Sequence, residues 1–166
     1  WAGRHIRIQT AVYRAEVRAS YSHHSSNYNQ GSNAYGILYS GSDCLIEDNI
    51  VRELNKPITG ETAGGGNVIA YNYVDEAIIG SLTNDWQEAA INMSHGSFSH
   101  SDLLEGNHTP NVGVDSTHGN NGWGVFFRNC ATGRNGSGRT NTYLRAVYVD
   151  GWQREIEGMI SSWTTD

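Results

Sequence analysis

The chain has 166 residues, with 11 Lys plus Arg against 17 Asp plus Glu, a net charge of −6 with His neutral, 20 Gly and 2 Cys. That length suits one domain with a real core, the scattered Arg and acidic balance argue against nucleic acid as a partner, and two cysteines cannot make a disulfide scaffold. No apolar run approaches the ~20 residues of a membrane span, and 37% hydrophobic against 17% charged residues, the balance being Gly, Asn, Ser and Thr, describes a turn-rich β protein rather than a helical bundle.

The first residues, from Trp1, include neither a starting Met nor an apolar signal core, so a piece cut from a longer chain is expected. His5–Gln9 and Val12–Val17 alternate in polarity as strands do. The next segment, 21–30, is rich in aromatic, imidazole and amide groups, and His23, His24 and Tyr28 are its candidates for binding sugar faces and hydroxyls.

From there the chain repeats. Cys44-Leu45-Ile46-Glu47-Asp48-Asn49, Asn67-Val68-Ile69-Ala70-Tyr71-Asn72, Asp102-Leu103-Leu104-Glu105-Gly106-Asn107 and Gly124-Val125-Phe126-Phe127-Arg128-Asn129 each carry an apolar pair, two variable residues and Asn. The spacing is 22 or 23 residues, apart from an insertion of about a dozen residues before Asn107. Weaker copies flank them, with Ser20 and Val147 in the place of Asn. This period is too short for a two-helix repeat, and the apolar pair followed by a turn predicts short strands stacked coil on coil, about seven coils at ~4.8 Å each. Asn at one coil position would bond the Asn above and below and tolerate the left-handed bend there. Three coils, about 14 Å, would separate Cys44 from Cys130, too far for a disulfide.

The insertion carries Trp86 between Asp85 and Glu88, an aromatic platform flanked by the two kinds of carboxylate that glycoside hydrolysis uses. Ser94-His95-Gly96 and Thr117-His118-Gly119 recur at 23 residues, which predicts His95 and His118 one above the other. Either could serve as general base, with Asp115 or Asp85 orienting it. Trp123 and Arg128 follow as further binding candidates. Two His without a third ligand fall short of a metal site. Near the C-terminus Ile156, Met159, Ile160 and Trp163 mark one stripe of a short capping helix, with continuation of the coil as the alternative.

From Tyr21 to Asp150 the Asn-bearing coils, followed by His118-Gly119-Asn120-Asn121-Gly122 and Phe126-Phe127-Arg128-Asn129, resemble the right-handed parallel β-helix proteins of the pectate-lyase-like superfamily. The resemblance implies an extracellular or cell-surface protein, bacterial or phage, with polysaccharide as partner. Lyases of that superfamily hold calcium through clustered Asp, and its hydrolases use close Asp groups that include an Asp-Asp pair. This chain has no such dipeptide, so calcium enters by resemblance alone and no catalytic residue carries over.

The sequence therefore predicts one all-β domain over residues 1–166, a right-handed parallel β-helix, binding polysaccharide in a lateral groove lined by residues 21–30, 80–95 and 115–123. As an enzyme it would be a glycoside hydrolase or polysaccharide lyase with His95, His118, Asp85, Glu88 and Asp115 as its chemistry. The alternative is a non-catalytic solenoid module of a larger adhesin, spike or filament, with end-to-end self-association as one consequence.

Overall fold

A computed structural model of the chain describes residues 3–29, 31–62, 64–78, 89–93, 95–96, 99–116, 119, 121–133, 145–150 and 152–161. Six coils wind through three parallel sheets, one strand of each sheet per coil. The first coil contributes β1 (Arg4–Ile8), β2 (Glu16–Arg18) and β3 (Tyr21–His23), and the second β4 (Tyr35–Tyr39), β5 (Leu45–Glu47) and β6 (Ile50–Leu54). The third holds β7 (Lys56–Gly60), β8 (Val68–Ala70) and β9 (Tyr73–Ala77), and the fourth β10 (Ile91–Asn92), β11 (Leu103–Glu105) and β12 (His108–Thr109). The fifth holds β13 (Val112–Val114), β14 (Gly122–Phe127) and β15 (Cys130–Ala131), and the sixth β16 (Val147–Val149), β17 (Trp152–Glu157) and β18 (Ile160–Ser161). The sheet orders are β1-β4-β7-β10-β13-β16, β17-β14-β11-β8-β5-β2 and β18-β15-β12-β9-β6-β3, so the fold is the right-handed parallel β-helix.

Like side chains stack in register to make the core. Ile37, Ile58, Ile91 and Val112 form one interior column, and Ile46, Ile69, Leu104 and Phe126 another, all of them 0% exposed. Each contributes about 1.5–3 kcal/mol of burial, and none finds enough apolar contact inside its own coil, so stability passes from coil to coil.

The corner between the second and third sheets is two residues long in every coil, and there the Asn repeat acts. Asn72 Nδ2 donates to Asn107 Oδ1 at 3.0 Å and to the Ile46 carbonyl at 2.9 Å, while Asn72 Oδ1 accepts from the Asn49 backbone N–H and side chain. Asn107 repeats the pattern toward Asn129, and the ladder ends on the Ser20 N–H, which donates to Asn49 Oδ1. The bend itself falls one residue earlier than the sequence suggests. Asp48, Tyr71 and Arg128 take positive φ, as do Gly106 and Gly158, which frees each Asn to lie flat in the ladder. A shorter ladder at the preceding corner links the Cys44 N–H to Asn67 Oδ1 and the Asn67 N–H to Asp102 Oδ1.

Two sequence expectations change at the C-terminal end. The stripe of Ile156, Met159 and Ile160 is not a helix but β17, a two-residue corner and β18, held by pairing with β14 and β15 (Phe126↔Ile156, Cys130↔Ile160). A strand–corner–strand unit also spaces apolar residues by four, and the ladder of backbone bonds decides between the two. It follows that Met159, not Val147, takes the Asn position of the last coil, and Val147 lies in β16 opposite Val112. Among the described residues there is no helix, none therefore that could cross a membrane, and Trp163 lies outside them. Cys44, in the corner before β5, and Cys130, in β15 three coils on, are free thiols.

Candidate functional site

With one corner fixed at two residues, length varies at the other two. Residues 24–34, 78–90 and 132–146 leave the corner between the third and first sheets in alternate coils, while coils two and four cross it through Asn55 alone and through 110–111. At the corner after the first sheet, 93–102 is the longest connection. The outward rung of the first sheet is covered: Leu38 and Thr59 are 0% and Asn92 1% exposed, and the Ala89 methyl lies against Gly113.

The clearest chemical arrangement sits where that sheet ends. Asp115 directly follows β13 and His95 lies in the connection one coil below, so coil stacking brings them together. His95 Nδ1 is 3.1 Å from Asp115 Oδ2, with both side chains 15% exposed, and Asn92 Nδ2 donates to the same oxygen at 2.6 Å. The Asn121 amide donates to the Asp115 carbonyl at 2.8 Å and fixes the backbone beneath the pair. An ionised Asp115 holds the His95 proton on Nδ1, which makes Nε2 the basic nitrogen, and it stabilises the imidazolium that forms when Nε2 takes a proton.

Of the residues expected to carry chemistry, the structure therefore joins His95 to Asp115. His118, Asp85, Glu88 and Trp86 lie outside the described residues, so the expected His95–His118 stack and the carboxylates of the insertion are not placed. The binding candidates are dispersed. His23, His24 and Tyr28 belong to the first coil, where His24 Nε2 lies 2.7 Å from Glu53 Oε2, the two Nδ1 atoms of His23 and His24 are 2.7 Å apart, and the Tyr28 hydroxyl donates to the Glu53 carbonyl. Trp123, 61% exposed, opens β14 at the corner after the first sheet, the same corner as His95. Arg128 takes a bend of the Asn ladder with its guanidinium 4.4 Å over the Phe127 ring. Asn92 escaped sequence reading. A polar residue between buried Ile91 and Met93 was its only signal. Among the described residues no group of three His, Cys, Asp or Glu is arranged to hold a metal ion.

A third histidine of the first coil gives a pH prediction. His5 Nδ1 is 2.6 Å from Ser22 Oγ, and burial, aided by the neighbouring His23 and opposed by a hydrogen bond that the ring donates to the His24 backbone, lowers its pKa from the ordinary 6.5. The unfolded chain then binds the proton first, so stability is intact above 6.5 and is lost as pH falls through that value toward the folded pKa. Replacing His5 with Gln should flatten this part of the urea-midpoint profile, and an unchanged slope would remove His5 as its source.

The chain matches no protein-family model, no curated protein and no solved structure, so its functional reading rests on the residues themselves.

Proposed function

We propose that this protein is a carbohydrate-active β-helix of the pectate-lyase-like kind, at the cell surface or secreted, which binds a polysaccharide beside the connections 93–102 and 115–121 and cleaves it with His95 as general base. The observation that carries this reading is the Asn92–Asp115–His95 chain of contacts, which orients one imidazole in a largely buried corner. In a hydrolase His95 Nε2 takes a proton from the water that adds to the anomeric carbon as the glycosidic C–O bond breaks, and the departing oxygen takes a proton from solvent. In a lyase it takes the proton beside a uronate carboxyl as the C–O bond β to that carboxyl breaks, the departing oxygen again being protonated by solvent. The products separate the two, because only the second leaves an unsaturated, ultraviolet-absorbing end.

A polysaccharide panel assayed for new reducing ends and for unsaturation tests the reading. His95→Ala should lose roughly 10²–10⁴-fold in turnover, and Asp115→Asn a large part of that, with the urea midpoint of Asp115→Asn close to wild type. Turnover that survives His95→Ala would take the chemistry away from this corner. The second reading, a binding or spacing module of a larger surface protein, is favoured by the dispersal of the other candidates over separate corners. A folded wild type that cleaves nothing on the panel would decide for it.

A further inference from the structure

Away from His95, on the outer face of the third sheet, the residues after the Asn-ladder positions form a column whose first four members, Tyr21, Ile50, Tyr73 and His108, are exposed and which continues through the less exposed Cys130. Tyr21, Ile50 and Tyr73 are 60%, 47% and 44% exposed and His108 is exposed too, with the Tyr73 and His108 rings stacked at 4.9 Å. A second column two residues on reads His23, Arg52 and Asp75. Four coils thus present a flat stripe of aromatic and aliphatic side chains beside a pair of opposite charges, more contiguous apolar surface than scattered exposed residues provide.

We propose that this stripe is the interface of a homodimer, formed with a second copy of the chain lying face to face about a twofold axis that runs along the strands between the second and third coils. Such an axis reverses the order of the coils and keeps column over column. Ile50 then meets the partner's Tyr73, Tyr21 meets the partner's His108, Arg52 meets the partner's Asp75, and Asp75 meets the partner's Arg52. The charges select this register. An axis through the second coil sets Arg52 against itself, and one through the third sets Asp75 against itself. Of the neighbouring half-coil axes, one pairs Arg52 with His23 and the other sets Asp75 against the corner 110–111, which carries no charge. Within each chain Arg52 Nε already lies 3.4 Å from Asp75 Oδ2, so the dimer joins two ion pairs into one alternating group of four. The acids beyond them are engaged within their own chain, Glu53 by His24 and Glu76 by Arg52.

Sedimentation equilibrium from low to high micromolar concentration tests this. The wild type should dimerise. Arg52→Asp alone and Asp75→Arg alone should each weaken association at least about tenfold by setting like charges together, and the double swap Arg52→Asp/Asp75→Arg should restore it. Because each single change also breaks an ion pair inside the chain, urea midpoints check the fold, and Tyr73→Ser, at an exposed position, should weaken the dimer independently. A wild type that stays monomeric, or a dimer indifferent to all four variants, overturns the proposal. So does a polysaccharide that binds the monomer and is lost with Tyr73→Ser, which would give the stripe to a glycan.

Discussion

Asn107→Ala should unfold at much lower urea than the wild type, with a loss of about 3–6 kcal/mol. The side chain lies 1% exposed in the middle of the ladder, so its removal admits no water to replace what it bonded. Four buried groups lose a bond: the Ile69 carbonyl, which accepts from Asn107 Nδ2 at 2.8 Å, the Asn72 backbone N–H and one Asn72 amide proton, both donating to Asn107 Oδ1 at 3.0 Å, and Asn129 Oδ1, which keeps only the Asn107 backbone N–H. A buried polar group left unsatisfied costs about 1–3 kcal/mol, and a domain of this size has about 5–15 kcal/mol in total. Ser20→Ala makes the contrast at the end of the same ladder. There the backbone N–H bonds Asn49 whatever the side chain, and the lost Ser20 Oγ bond to the Arg18 carbonyl is exposed, so about 1 kcal/mol or less is expected. Equal urea midpoints for the two variants would show that the ladder is not what ties the coils together.

The same contrast explains how much of the fold could be read from the sequence. The Asn positions were legible because the corner that holds them never varies in length. A constant corner keeps the apolar pair, the bend and the amide at fixed offsets from one another even where the other corners lengthen the coil, and the amide that bridges coils recurs at that offset. Where the amide is replaced, at Met159, the period is invisible and the apolar spacing imitates a helix. The backbone bend was misassigned to Asn for a related reason. Asn suits both a left-handed bend and a hydrogen-bonded ladder, yet in the fold Asp48, Tyr71 and Arg128 bend while Asn49, Asn72 and Asn129 bond.

The candidate site was legible in proportion to its dependence on coil stacking. The sequence left Asp115 and Asp85 as alternative partners of either His, and the structure joins Asp115 to His95 because both stand just past a strand of the first sheet, one coil apart. Asn92 was not legible, since its role depends on a side chain pointing away from the core toward covered space, and alternation within a two-residue strand carries little signal. The stripe of Tyr21, Ile50, Tyr73 and His108 had a signal that went unread: each follows a ladder position directly. A residue next to an invariant corner inherits its period, so an aromatic there recurs on one face.

Close approach of backbone to backbone sets the other large effect. Gly64→Ala should destabilise the protein by about 3 kcal/mol or more, because a Cβ on Gly64 would stand 1.9 Å from the Gly41 carbonyl oxygen and 2.8 Å from its carbon. Neither atom belongs to a side chain that could rotate away. The coils can separate only by lengthening strand pairings on both sides of the corner, and Gly41 is itself pressed on the coil below, where its own Cβ would meet the Val12 carbonyl oxygen at 2.7 Å. Gly106→Ala should cost less: its φ of +63° disfavours a side chain, yet the atom in the way is the ring of Tyr71, which is 55% exposed and can swing into solvent. Gly31→Ala, with nothing within 4 Å, should stay within about 0.5 kcal/mol of wild type. Urea denaturation of the three variants should rank them in that order. A Gly64→Ala protein as stable as Gly31→Ala would mean that the corner after the first sheet yields easily, and with it the rigid placement of the strands that carry Asn92 and Asp115.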